Sequence, residues 1–134
     1  SSAKADALLD YGMHLGIAFQ LADDLLDYAG DPSETGKNIG DDLAEGKITL
    51  PLLHAMKVGD ETDRRLVADT LRNKDGSAFA DIMAIVQRTG GIEATREAAL
   101  DHQSQAMNAL EMLGQNEATV ALSEMAGRAV DRRG

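Results

Sequence analysis

The sequence has no cysteine and no tryptophan, only two prolines, and no run of apolar residues approaching eighteen. Without cysteine there are no disulfides and no thiolates. This removes zinc ribbons, iron–sulfur sites and cysteine nucleophiles, and it points to a reducing cytoplasm. Without a long apolar run no transmembrane helix is expected, and the N-terminal residues lack the basic-then-apolar order of a secretory signal. Basic charge is scarce too: 13 Lys and Arg stand against 23 Asp and Glu, for a formal charge of -10. No basic face is then available to a phosphodiester backbone, and nucleic-acid binding is disfavoured. What is present is 134 residues, 43% of them apolar. That is one ordinary soluble, cytoplasmic domain, able to bury about two thirds of its unfolded surface.

The acidity is concentrated. Between Asp23 and Lys47 lie eight carboxylates (Asp23, Asp24, Asp27, Asp31, Glu34, Asp41, Asp42, Glu45) and two lysines, Lys37 and Lys47, so 25 residues hold -6 of the -10. Strand alternation is absent, and apolar residues recur at spacings of three and four, which predicts an all-α fold. A first helix runs from about Ala3 to Tyr28, stopped by Ala29-Gly30-Asp31-Pro32. A polar loop, Gly30 to Gly40, follows, and Gly40-Asp41-Asp42 starts a short turn. Thr49 as N-cap, with Pro51 in the first turn and Gly59 as the stop, predicts a helix over Leu50–Val58. Further helices are expected over Thr62–Asn73, Ser77–Arg88, Ile92–Leu113 and Asn116–Arg132. The stretch Gly59–Ser77 is polar enough to be a surface excursion. Ile92, Ala99, Ala106, Leu110 and Leu113 form one apolar stripe; Ala118, Ala121, Leu122, Met125 and Ala129 form another. Gly114-Gln115 joins these last two helices as an antiparallel hairpin.

On the first helix, Gln20, Asp23, Asp24 and Asp27 fall within about 100° of arc, opposite Leu8, Leu15, Ala18, Phe19, Leu21, Ala22, Leu25 and Leu26. Leu9, Gly12, Met13 and Gly16 continue the acidic face toward the N-terminus. A helix apolar nearly all round except for one acidic patch reads as a buried helix lining a cavity. For Leu9, Met13 and Gly16 plain packing is the simpler role. His14, His54 and His102 are expected to be structural.

Three aspartates on a helix are ordinarily a solvated face. Here aspartate is a poor helix former, Asp23 and Asp27 repel at the i,i+4 spacing, and the helix C-terminus is already negative. Each effect is worth only a few tenths to about 1 kcal/mol, but all have one sign. A divalent cation reverses every one of them. An oxygen-only donor set, with His14 well away along the helix, suits Mg²⁺ or Mn²⁺ rather than zinc, and the spacing fits no calcium-binding EF-hand. Magnesium takes one or two carboxylates and completes its shell with water and phosphate oxygens, so the implied substrate carries a diphosphate. Lys37 and Lys47 would bind the remaining charge of that group.

The run Gly16-Ile17-Ala18-Phe19-Gln20-Leu21-Ala22-Asp23-Asp24-Leu25-Leu26-Asp27-Tyr28 resembles the second aspartate-rich motif, FQxxDDxxD, of the trans-polyprenyl diphosphate synthases. Gly30-Asp31-Pro32, Thr35-Gly36-Lys37, Gly40-Asp41-Asp42 and Gly46-Lys47-Ile48-Thr49-Leu50-Pro51 extend the likeness over about 35 residues. In detail it is similar to the bacterial octaprenyl and decaprenyl synthases that make quinone side chains. The resemblance implies a helical bundle of the isoprenoid synthase type, with residues 1–134 its C-terminal portion. It implies a transferase that condenses isopentenyl diphosphate with an allylic diphosphate, with Mg²⁺ as cofactor (Mn²⁺ as a substitute) and a homodimeric full-length enzyme. Asp23, and through water Asp24 and Asp27, would hold the metal. Gln20, Lys37 and Lys47 would contact the diphosphate, with Asp23 and Lys37 the catalytic residues. The family's first aspartate-rich motif, its basic Gly-Gly-Lys-Arg-type site and its Lys-Thr pair are missing, so the 134 residues by themselves are expected to be inactive. A noncatalytic subunit of a heteromeric synthase, a terpene-cyclase-like protein and a plain helical interaction module are the alternative readings.

The conflict among the aspartates is itself testable. Asp23→Asn and Asp27→Asn should leave the metal-free protein as stable as the parent, or more stable by roughly 0.5–1 kcal/mol. The same changes should abolish stabilisation by magnesium plus diphosphate, which at a hundredfold excess over Kd is about 2.7 kcal/mol. Thermal melts with and without both ligands check this; variants that melt well below the parent without metal, or still respond fully, would remove the metal-site reading.

Overall fold

The computed structural model describes residues 2–29, 45–73 and 78–130, except for the side chains of Asp27 and Ala29. Six α-helices account for nearly all of this: α1 (Ser2–Ala29), α2 (Leu50–Val58), α3 (Glu61–Asn73), α4 (Phe79–Thr89), α5 (Gly91–Ala109) and α6 (Glu117–Val130). Between α5 and α6 the chain tightens into a 3-10 turn, Leu110–Leu113, a common way to close the last turn of a helix. The all-α reading and the expected elements agree with these bounds to within a few residues. The loop expected over 30–40 and the turn at Gly40-Asp41-Asp42 lie outside the described residues.

The helix ends have identifiable causes. Thr49 is extended (φ -121°, ψ 169°) and starts α2 with Pro51 in the first turn, where the missing N–H has no intrahelical partner to lose. Its carbonyl accepts from the Leu53 amide at 3.0 Å. Its hydroxyl, expected as the cap, makes no capping bond and is buried without a hydrogen-bond partner among the described residues. Two other starts are closed by reciprocal bonds. The Asp60 amide donates to Asp63 Oδ2 (3.0 Å) and the Asp63 amide to Asp60 Oδ1 (2.9 Å). The Asn116 amide donates to Thr119 Oγ1 and the Thr119 amide to Asn116 Oδ1, both at 3.0 Å. Each pair satisfies amides that a helix start leaves unpaired. Gly90 takes the left-handed conformation that ends α4 (φ 78°, ψ 25°).

The chain divides into two compact units, one of Ser1–Ala22 with Glu97–Arg132, the other built on Asp23–Arg96. In the second, Tyr28, Leu52, Ala55, Val67, Ile82, Ile85 and Val86 form the core. The rings of Tyr28 and Phe79 stack with centroids 6.2 Å apart. Far from being a surface excursion, α3 is part of this core: Val67 is 0% exposed and Asp63 and Thr70 are buried. Periodicity was the better guide than mean polarity, because one apolar stripe suffices to dock a helix.

Polar bonds lock α2, α3 and α4 together. Arg88 of α4 donates to the buried Asp63 of α3, and Arg64 Nη1 donates to the Gly59 carbonyl at 2.6 Å. A Cβ on Gly59 would lie 2.6 Å from the Ala55 carbonyl oxygen and 2.8 Å from Asp63 Oδ2, so only glycine fits there.

In the first unit, Tyr11, Ala106, Leu110 and Ala126 form the core with Leu15, Met107 and Leu122 against them. Tyr11 donates its hydroxyl to the Leu122 carbonyl at 2.7 Å, and burial pushes that hydroxyl's pKa up, which keeps the proton on the donor. The α5 stripe is as expected, with Ala99 and Ala106 fully buried. The α6 stripe is not. Thr119, Ala126 and Ala129 are buried, while Ala118 and Ala121 are exposed and Met125 is half exposed. Leu122 and Ala129 keep their expected inward place, while the Asn116–Thr119 cap turns Thr119 inward and Ala126 takes the position expected of Met125, so the buried face is rotated by less than one residue step.

The Asp63–Arg88 pair gives a pH dependence. The Arg88 hydrogen bond, then the Asp60 amide, hold the Asp63 carboxyl below its ordinary pKa. A carboxyl lowered by folding contributes fully above its unfolded value, about 3.9, and that contribution is lost as pH falls through the folded value. Asp63→Asn should therefore lower stability at neutral pH and flatten the acid limb of the unfolding profile below about pH 5; parallel acid limbs in parent and variant would remove the pair as the cause.

Candidate functional site

The last turns of α1 carry the aspartates. Gln20 is exposed, Asp23 is half-buried and Asp24 is only 6% exposed. The two acids are consecutive on the helix, about 100° apart, and Asp24 is buried on the flank of the acidic face nearest Tyr28. The acidic face expected over Gln20, Asp23, Asp24 and Asp27 is therefore uneven, with Asp24 buried where Gln20 is exposed. The Asp27 side chain and Lys37 lie outside the described residues. Lys47 is exposed, just after Gly46 (φ 76°) and two residues before the buried hydroxyl of Thr49. Among the described residues no three His, Cys, Asp or Glu side chains gather into a metal centre. The donors present are all oxygens, which fits a hard cation needing only one or two carboxylates from the protein.

The rest of α1 departs from a buried helix. Its buried residues, Ala7, Tyr11, Ala18, Ala22, Leu25, Leu26 and Tyr28, follow one stripe of three- and four-residue steps. Leu9 is 72% and Met13 54% exposed, with Leu8, Ile17 and Phe19 also open. A Cβ at Gly12 or Gly16 would meet nothing within 4 Å. Leu9, Met13 and Gly16 thus have no packing role among the described residues. They form an open strip, apolar and low, on the face that leads to Gln20 and Asp23.

His54 is structural as expected, its Nε2 3.1 Å from the Thr89 carbonyl. His14 and His102 are not isolated: their Nδ1 atoms lie 2.9 Å apart. Their meeting depends on how two helices 88 positions apart pack, for which the local sequence carries no signal. The Thr49 hydroxyl had a signal, since Thr49 lies in the Lys47-Ile48-Thr49 run, but the N-cap pattern accounted for it first.

The described residues define an all-helical protein with oxygen donors in the last turns of one long helix. Comparison with known proteins gives that class a family. The polyprenyl synthetase family model matches residues 1–89, and the chain belongs to that family. It is 40% identical over 133 residues to octaprenyl diphosphate synthase of Haemophilus influenzae, covering 98% of this chain and 40% of that protein. The structure of a polyprenyl synthase from Caulobacter crescentus, complexed with calcium and isoprenyl diphosphate, superposes with a TM-score of 0.88 at 40% identity, covering 100% of this chain and 42% of the other. A decaprenyl diphosphate synthase from Rhodobacter capsulatus gives 0.87 at 38% identity, with 98% and 41% covered. The chain thus spans about two fifths of the length of these relatives. Among the described residues no helix is long and apolar enough to cross a membrane.

The open strip predicts how the 134-residue chain behaves alone. A contiguous exposed apolar face favours association, so the chain should self-associate and bind a hydrophobic dye, and Leu9→Gln with Met13→Gln should reduce both. Light scattering that finds a monodisperse, dye-negative parent would contradict this.

Proposed function

We propose that the chain is part of a trans-polyprenyl diphosphate synthase that acts in the cytoplasm as a homodimer, extending an allylic diphosphate with isopentenyl diphosphate to a long-chain product used as a quinone side chain. The observation that supports this best is the placement of Asp23 and Asp24 at the negative end of α1, inside the segment matched by the family, beside exposed apolar surface. Asp23, together with Asp24 and Asp27 through water, would hold Mg²⁺, or Mn²⁺ in its place. Asp24 is buried, so its part is to orient water rather than to bind directly. When bound, the metal neutralises charge on the diphosphate as it leaves.

This chain's own residues have distinct tasks. Gln20 and Lys47 orient the allylic diphosphate, and Lys37 and Lys47 donate charged hydrogen bonds to its oxygens as the C–O bond breaks. The allylic carbocation is then attacked by the isopentenyl double bond, and a proton is lost to give the lengthened product. The face of Leu9, Gly12, Met13 and Gly16 would keep water from the cation. The further three fifths of the relatives' length would supply the surface that covers that strip and the site for the second substrate.

In the full-length enzyme, Lys37→Ala and Lys47→Ala should each lower kcat/KM for the allylic substrate by about tenfold to a hundredfold, the loss of a charged hydrogen bond worth about 1.5–3 kcal/mol. Steady-state kinetics with each substrate varied in turn is the check. Weakened isopentenyl diphosphate affinity alone would assign the lysines to the other site. Radiolabelled isopentenyl diphosphate incorporated by the isolated 134 residues at the full enzyme's rate would overturn their reading as a dependent part.

A further inference from the structure

His14 of α1 and His102 of α5, both partly buried, meet with Nδ1 atoms 2.9 Å apart. Their ring centroids are 5.1 Å apart and the ring planes are inclined by 29°. The centroid separation exceeds the nitrogen separation by nearly as much as two ring radii allow, so the rings meet edge to edge, nitrogen to nitrogen. Two nitrogens in line at this distance hold one proton between them, one donating as N–H and the other accepting through its lone pair. The lone-pair directions oppose each other instead of converging on a third point, so the pair is not arranged to chelate a metal.

We propose that this pair is a proton-counting contact between α1 and α5, which holds with zero or one positive charge and opens when both rings are protonated. With neither ring charged, one Nδ1–H donates to the other Nδ1. With one ring charged, the bond persists and is charge-assisted. With both charged, two N–H groups and two positive charges face each other and no acceptor remains.

The neighbouring charges do not offset this. Asp10 lies one turn before His14 on α1. Asp101, beside His102 on α5, accepts from Gln105 Nε2 at 2.7 Å. On α6, which bonds to both helices through Tyr11 and Gln103, Glu124 and Arg128 face each other at 3.8 Å. All four are exposed, where water and salt screen them.

Histidines of an unfolded chain take up protons near pH 6.5. On this proposal the folded pair takes up one proton fewer than the unfolded chain below that pH, so stability falls as pH falls. Denaturant unfolding of the 134-residue chain between about pH 5 and 8 tests this. The parent's unfolding constant should rise about tenfold per pH unit below pH 6.5, and His14→Gln and His102→Gln should each flatten that slope. An undiminished slope in both variants would overturn the proposal. Should a variant fail to fold, ¹⁵N-histidine spectra of the parent decide: two well-separated protonation steps for His14 and His102 support it, and joint protonation near pH 6.5 overturns it.

Discussion

Like charges gathered at the negative end of a helix oppose the helix that holds them, and the arrangement around α1 turns on that opposition. Asp23 and Asp24 sit against the partial charge of the last carbonyls, while the same turns must pack Ala22, Leu25, Leu26 and Tyr28. Burial of those apolar residues, at about 25 cal/mol per Å², outweighs terms of a few tenths of a kcal/mol each, so the helix forms with its conflict intact. On the proposed function, a cation bound there would offset the negative end of α1.

The unit around α2, α3 and α4 is held in the opposite way, with its charges matched. Asp63 accepts from Arg88 and from the Asp60 amide, and Arg64 satisfies the Gly59 carbonyl that α2 leaves unpaired. Gly59 permits this because a side chain there would collide with both the Ala55 carbonyl and Asp63. Asp63 is thus a carboxylate whose partners and burial mark it as structural.

Helix bounds were legible because caps and stops are local: Thr49 with Pro51, Gly59 and Gly114 each act within a turn. The α5 stripe was legible because Ala99 and Ala106 are separated by seven residues, two full turns. What local reasoning missed depends on packing. The inward turn of Thr119 was hidden by the neighbouring Ala118 and Met125, which offer an equally periodic alternative one position away. The burial of α3 was hidden by its polarity, since Asp63 and Thr70 count as polar residues while being buried. Of the candidate site, the residue types and their order could be read directly; the burial of Asp24 could not, because it depends on which side of α1 the rest of the chain covers.

Two anomalies share α1, and their coincidence argues more than either does alone. Exposed apolar residues are common on any surface, and aspartates near a helix end are commonly solvated. Here Leu9 and Met13 stand open on the face that continues to Gln20 and Asp23, and Gly12 and Gly16 between them hold that face low, with no packing requirement for glycine at either position. Departures from local rules that fall together on one face are what a functional surface produces. On the proposed function, a charged head at one end and a hydrocarbon along the length would call for both, in the order in which α1 presents them, Leu9 and Met13 first and then Gln20 and Asp23.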